Sequence, residues 1–217
     1  MTKLLLTMTN TSQKDSIQKA KTIWASGSYR DVAVILPPMS AHLVHAAKVK
    51  PGDVVLDLAC GPGNTAITAS RSGAKVVGID ITPELLVNAD EEAAIANAEG
   101  IVWKEADAEN LPFEDQSFDV VLSSVGHMFA PDPDSVTSEL LRVRKHKARI
   151  AFTTWPPEHA IGRIFTAVAN YILPLPNAPP SPILWGIPEV IKTRLGKNVE
   201  KMHFERGVLH VPMLSTL

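Results

Sequence analysis

The 217-residue chain holds one cysteine, two tyrosines and no long uncharged apolar run. A single cysteine cannot close an internal disulfide, which excludes a disulfide-stapled scaffold and points to a reducing, cytoplasmic setting. The longest apolar stretches fall short of the roughly 20 residues that cross a bilayer, and the apolar residues 4–8 are too few for the core of a signal peptide. Charge of one sign is lacking too. A formal net charge of -2 supplies no general field to capture nucleic acid or a membrane surface, so a partner must be recognised at a local site. Repeats and low-complexity tracts are also missing. What is there is ordinary for a globular domain, 45% hydrophobic and 20% charged, which disfavours disorder. Proline is the exception: eight of the 17 fall between residues 156 and 188 and predict a stiff, irregular segment.

Two helices precede the first strand. Ile17, Ala20, Ile23 and Trp24 recur at helical spacing up to Gly27, and a second helix is expected over about 38–47. From Pro51 the pattern becomes regular, with strands predicted at 53–58, 75–79, 101–104, 118–123 and 149–154. Between them lie helices ending near Ser70, opening at Pro83, and running from Pro133 to Val143. Apolar strands alternating with helices make an α/β fold, a Rossmann-like doubly wound sheet whose ligands bind at the carboxyl ends of the strands. Beyond Trp155 an apolar helix over 161–172 leads into the proline cluster, and residues 199–211 read as one or two strands bent near Gly207. The chain divides as a single domain into a helical cap (1–48), a cofactor-binding core (49–155) and a proline-rich acceptor region (156–217).

The chemistry lies at the strand ends. Gly61 and Gly63 permit a tight turn and close approach of a ligand, with the next helix aiming free N–H groups at it. That loop also fits a dinucleotide fingerprint, or a plain structural turn. Asp57, a carboxylate inside an apolar strand, separates the readings, because it repels a pyrophosphate and attracts an ammonium or sulfonium. Asp80 closes the second strand and can accept from both hydroxyls of a ribose, or simply favour a helix N-terminus. Ile81 can lie flat on a purine. After the third strand, the Asp107 carboxylate and the Ala108 N–H can together read an adenine edge.

The stretches V-L-D-L-A-C-G-P-G-N-T-A, G-I-D-I-T-P-E-L-L, E-A-D-A-E-N-L-P-F-E-D-Q-S-F-D-V-V-L-S and R-I-A-F-T-T-W resemble the successive motifs of class I S-adenosylmethionine-dependent methyltransferases of the small-molecule branch. The resemblance covers about residues 20–210 and is most specific between 51 and 155. It implies a sheet of order 3-2-1-4-5-7-6 with its last strand antiparallel; the chain's end soon after Val211 leaves that strand open to being incomplete. It implies further that Gly61 and Gly63 line the methionine portion of the cofactor, Asp57 lies near its ammonium group and Asp80 holds the ribose. Ile81 then flanks the adenine, Asp107 and Ala108 read its edge, and Ser123 and Ser124 face the methionine end. One departure is visible: a Pro-Gly-Gly turn is common before the fifth strand of such proteins, and His146-Lys147-Ala148 stands there instead.

Methyl transfer from a sulfonium is an in-line displacement, so holding donor and acceptor in line is the main task and a base is optional. His127, in the loop after the fourth strand, is the candidate base, or else a residue that shapes the pocket. Tyr29 is a candidate lid over the cofactor or a packing residue. Trp155, Tyr171 and Trp185 are candidate walls of an apolar acceptor pocket. No metal is expected: His42 and His45 lie one turn apart without a third ligand. The basic run from Arg142 to Arg149 reads as a solvated helix end, and Cys60 as a small packing residue. The expected partner is a small-molecule acceptor, with no nucleic acid and no membrane; the oligomeric state is not indicated. Two alternatives stand beside this reading. A nicotinamide-dependent reductase is disfavoured by Asp57, Asp107 and the lack of a Tyr-x-x-x-Lys pair; the other is an S-adenosylmethionine-binding protein without catalysis.

Overall fold

Valine, isoleucine and leucine fill the strands at 54–58, 75–80 and 118–124, which is why the middle of the sheet forms from short, mostly buried strands. The computed structural model describes residues 17–27, 29–169 and 179–209. Helix α1 (17–25), α2 (Tyr29–Ala33) and α3 (Pro37–Ala46) lead into β1 (Val54–Leu58), α4 (Asn64–Arg71), β2 (Lys75–Asp80), α5 (Pro83–Ile95) and β3 (Val102–Glu105). Then come β4 (Phe118–Ser124), a single-turn helix (Gly126–Phe129), α6 (Pro133–Val143), β5 (Arg144–Thr153), α7 (Ala160–Ala169) and α8 (Pro188–Leu195). All pairings are parallel, in the order β3-β2-β1-β4-β5. That is a Rossmann-like sheet, and its order matches the first five positions expected from the sequence.

Strand alternation sorts the core into two layers. Val55, Val76, Val120 and Leu122 pack with α3 and α4 through Leu43, Val44, Ala66 and Ala69. Leu56, Leu58, Ile79 and Val121 face the other way, onto α6 and α8 through Val136, Leu140, Ile191 and Leu195. Asp57 therefore lies on the α3/α4 side, in register with Gly78 of β2 and Leu122 of β4. Ser123 lies on the α6/α8 side.

Two expectations are corrected. Residues 199–209 contain no strand, and five strands are found among the described residues. That segment carries Lys201, Glu205 and Arg206 and is mostly exposed, with only Val199 and Met202 packed on the core; it also meets His42 through Glu205 (3.5 Å) and Glu158 through Arg206. The fifth strand begins at Arg144, not 149. Phe118 pairs with Arg144 and Val120 with Arg149, so residues 145–148 bulge from the ladder where a turn was expected, with Lys147 at φ 63°. Lys145 reaches from that bulge to the Asp119 carboxylate, 2.9 Å away, which also accepts from the Val54 N–H. The helix expected over 161–172 is seen as Ala160–Ala169; Tyr171 and the rest of it lie outside the described residues.

One close approach is demanding. A Cβ on Gly78 would stand 2.4 Å from Cζ3 of Trp103, whose indole covers this point of β2 and also reaches Gly63. Gly78→Ala is expected to cost about 1–3 kcal/mol of stability, the usual range for overpacking. Urea unfolding checks it, and Trp103→Leu in the same chain should recover part of the loss.

Candidate active site

The carboxyl ends of β1, β2 and β4 meet in a small number of directed hydrogen bonds. After β1 the chain turns sharply, with Ala59, Gly61 and Gly63 all at positive φ (53°, 53° and 86°). The Cys60 N–H donates to the Ile79 carbonyl (2.8 Å), and the Gly61 N–H donates to Asp80 Oδ2 (2.9 Å). The other oxygen, Oδ1, accepts from the Thr82 N–H (2.9 Å). Asp80 thus ties the end of its own strand to the glycine loop of the neighbouring one. Burial raises its pKa, and the two N–H donors oppose that rise.

From β4, Ser123 Oγ donates to the Leu58 carbonyl (2.7 Å) and accepts from the His127 N–H (3.1 Å). The chain then turns at Val125 (φ 69°) and lays Gly126 against the β1 loop. A Cβ there would sit 2.4 Å from the Ala59 carbonyl oxygen, so only glycine lets the two loops close together.

Between these loops and the N-terminal helices is a cavity of about 80 Å³. Of the residues expected from sequence, Tyr29, Gly61, Asp80 and Ser124 are on its wall. Trp24, Leu36, Asn64, Leu85 and Phe129 join them, none singled out from sequence. Trp24 stands edge-on to Tyr29 (centroids 5.8 Å apart) and to Phe129 (4.9 Å), so α1 and α2 roof the cavity with aromatic rings. Tyr29 Cε1 lies 3.5 Å from the point where a Cβ of Gly61 would be. Burial and the Asp80 charge raise the Tyr29 pKa, keeping its hydroxyl protonated. The roof is fastened by ion pairs from Lys21 to Glu105 and from Arg30 to Glu91 and Glu92, and by Asn64 Nδ2 donating to the Ala33 carbonyl (2.8 Å). Trp24 carried only a helix-face signal in the sequence, and nothing local marked it as a cavity residue.

Other expected residues lie off this wall. Asp57 is fully buried beneath the loop, Gly63 packs on Trp103 and Ala89, and Ile81 is half-buried. Asp107 Oδ1 accepts from the Glu109 N–H (2.9 Å) within a tight bridge to Asn110, and Ala108 packs partly on the core.

His127 is displaced furthest from its expected place. It is fully buried on the α6/α8 side, with its ring 4.7 Å from both Phe152 and Trp185. Because the Ser123 hydroxyl proton goes to Leu58, the 3.1 Å contact between Ser123 Oγ and His127 Nδ1 assigns the ring proton to Nδ1. Nε2 has no partner. Burial, with the Arg194 charge, pushes the imidazole pKa down to about 3. The geometry thus corrects the expectation that His127 faces a ligand as its base. Trp185 is likewise a core residue, with the Arg194 guanidinium 4.6 Å over its ring, and Trp155 is half-buried with its carbonyl against Gly186. Neither reaches the cavity wall, because both pack into the core cluster on the α6/α8 side instead.

A family model described as a methyltransferase domain matches residues 56–152, which run from β1 to β5 and include every strand end described above. An uncharacterised protein of Mycobacterium tuberculosis is 38% identical over 190 residues, covering 87% of this chain and 69% of its own length. A demethylmenaquinone methyltransferase of Lactobacillus johnsonii is 37% identical over 107 residues, 48% of this chain and 44% of that one. Among solved structures, the YcgJ protein of Bacillus subtilis superposes with a TM-score of 0.54 at 27% identity, covering 61% of this chain and 57% of that one. The chain belongs to the class I S-adenosylmethionine-dependent methyltransferases. As a fold likeness, a SAM-dependent methyltransferase of Aquifex aeolicus gives a TM-score of 0.56 at 20% identity, covering 83% and 86% of the two chains.

The match to the family model ends before α7 and begins after α3, so the methyltransferase shares its cofactor half with the family, while the roof and the proline-rich side lie outside that match. Among the described residues no helix is long and apolar enough to cross a membrane.

The buried imidazole has a consequence for stability. Its folded-state pKa lies below the unfolded value, so the unfolded chain binds the extra proton and stability falls as pH drops below about 6.5. Between pH 6.5 and 5 the loss from this group is expected to be about 2 kcal/mol. Unfolding curves across that range check it, and His127→Phe should flatten the dependence.

Proposed function

We propose that this methyltransferase acts on a small apolar or aromatic acceptor admitted beneath the aromatic roof, and that no protein base takes part at His127. The observation that carries the reading is Asp80: a carboxylate at the end of β2, fixed by two N–H groups and set on the cavity wall beside Gly61. S-adenosylmethionine supplies an electrophilic methyl group on a sulfonium, and the protein's part is alignment and exclusion of water.

The residues present fit that cofactor. Asp80 accepts from the ribose hydroxyls, while Gly61 and Ser124 border the methionine end. Gly63 shapes the loop, and Ile81, Asp107 and Ala108 serve the adenine. Their strand end joins that of Asp80 through the Ala106 N–H, which donates to the Asp80 carbonyl (3.0 Å). The cavity is smaller than the roughly 300–1,000 Å³ of ordinary ligand sites. Trp24 and Tyr29 fill the difference, so the roof has to lift for the cofactor to enter. In this reading the helical cap (1–48) governs entry, the core (49–155) holds the cofactor, and the region 156–217 adds to the acceptor side. Trp24, Leu36, Leu85 and Phe129 make the walls apolar, which favours an acceptor with a flat or aliphatic body.

Isothermal calorimetry tests the assignment. S-adenosylhomocysteine is expected to bind and NADH not to. Asp80→Ala should weaken S-adenosylhomocysteine by about 1–3 kcal/mol, the loss expected for hydrogen bonds to a charged group. Unchanged affinity in a folded Asp80→Ala protein would place the ribose elsewhere. Binding without methyl transfer to any member of a broad metabolite panel would mark a binding protein rather than an enzyme of small acceptors.

A further inference from the structure

Asp57 is the one buried acid at the site that no hydrogen bond explains. Its side chain has no exposure, and neither carboxylate oxygen has a partner. An isolated carboxylate in such a place is very costly, whereas the protonated acid is not. Its surroundings offer no compensation. From β2 it feels the Asp80 carboxylate, and from the loop the Cys60 thiol, which burial holds protonated. α4 brings the Ala66 backbone N–H, which lowers the pKa against the rise from burial without reaching hydrogen-bond geometry, and β2 and β4 set Gly78 and Leu122 beside it. Among the described residues no cation faces it. Asp80 by contrast receives two N–H donors. When two neighbouring buried acids differ in this way, the pair carries one proton, and the acid without donors holds it.

We infer that Asp57 couples cofactor binding to the release of a proton: neutral while no cation is near, it ionises when the positively charged amino acid end of the cofactor settles beside the Gly61 loop. The inference rests on the reading of the site given above and goes beyond it by assigning the charge state. The proton passes to solvent, and no covalent bond of the cofactor changes. Burial and the Asp80 charge push the free carboxyl up to about 8, which places the event in the neutral range. The sign is fixed by linkage. Protons compete with the cofactor below that value, so affinity rises with pH by up to about tenfold per unit and levels off above it.

Calorimetry on the full chain in phosphate and in imidazole buffer at pH 7 tests this, because the two buffers differ in ionisation heat. S-adenosylhomocysteine, which carries the ammonium, is expected to release about one proton per molecule bound. Methylthioadenosine, which lacks the amino acid, is expected to release none. Asp57→Asn should bind without releasing a proton and without the pH dependence. A second readout needs no variant: the infrared band of a protonated carboxyl should be present in the ligand-free protein and fade on adding S-adenosylhomocysteine. Binding with no proton release, release equal for both ligands, or release that persists in Asp57→Asn overturns the inference while leaving the cofactor assignment intact. Lack of the infrared band in the ligand-free protein overturns it as well. Failure of S-adenosylhomocysteine to bind at all overturns the reading of the site, and this inference with it.

Discussion

Two peptide N–H groups clasp the Asp80 carboxylate, one from the glycine loop after β1 and one from the start of α5. The arrangement of the cofactor end follows from that clasp. It fixes where the β1 loop leaves the sheet, and hence where α4 begins. It also determines that Gly126, from the far side of β1, meets the same loop at Ala59. A neutral side chain at position 80 would accept less strongly from both donors, and the loop's run of left-handed residues would lose its anchor. The clasp therefore shapes the loop and sets the acid on the cavity wall together.

The sheet separates two kinds of polar burial. On the α3/α4 side stand Asp57, whose carboxyl oxygens have no partner, and Asp80, held by two N–H donors. On the α6/α8 side stand Ser123 and His127, one residue beyond Leu122 or a short turn away, yet locked into a neutral network with Leu58, Phe152 and Trp185. The first pair is unsatisfied or only anchored, as reactive groups often are. The second is a satisfied spacer in the core, apart from the lone Nε2.

The sequence made the middle of the sheet legible because β1, β2 and β4 are apolar runs that alternate with helices. The start of β5 was not legible: residues 144–147 are basic, and only the pairing of Phe118 with Arg144 and of Val120 with Arg149 makes this stretch part of a strand. The glycines and Asp80 could be placed because a loop between adjacent parallel strands has few possible directions. His127 could not, since its side depends on a single turn at Val125, a residue that rarely adopts positive φ. Trp24 and Phe129 were hidden for another reason. Their role comes from α1 folding across the strand ends, a tertiary event with no local periodicity of its own. In the tail at 199–209, hydrophobic residues suggested strands, but only Val199 and Met202 pack on the core and the charged residues among them stay exposed.

Arg149 sits at the opposite pole. Its guanidinium donates to Asp53 Oδ2 (2.7 Å) and to the carbonyls of Ala47 and Lys48, joining the entry of the first strand to the fifth strand some hundred residues later. This stitch closes the long loop of chain at the end of the sheet remote from the cavity. Local opening of the roof can then proceed without loosening the whole molecule, because the long-range closure is kept elsewhere. The same division separates two tasks in the chain: substitutions around the roof change the walls of the cavity, while the long-range closure at Asp53 and Arg149 stays in place.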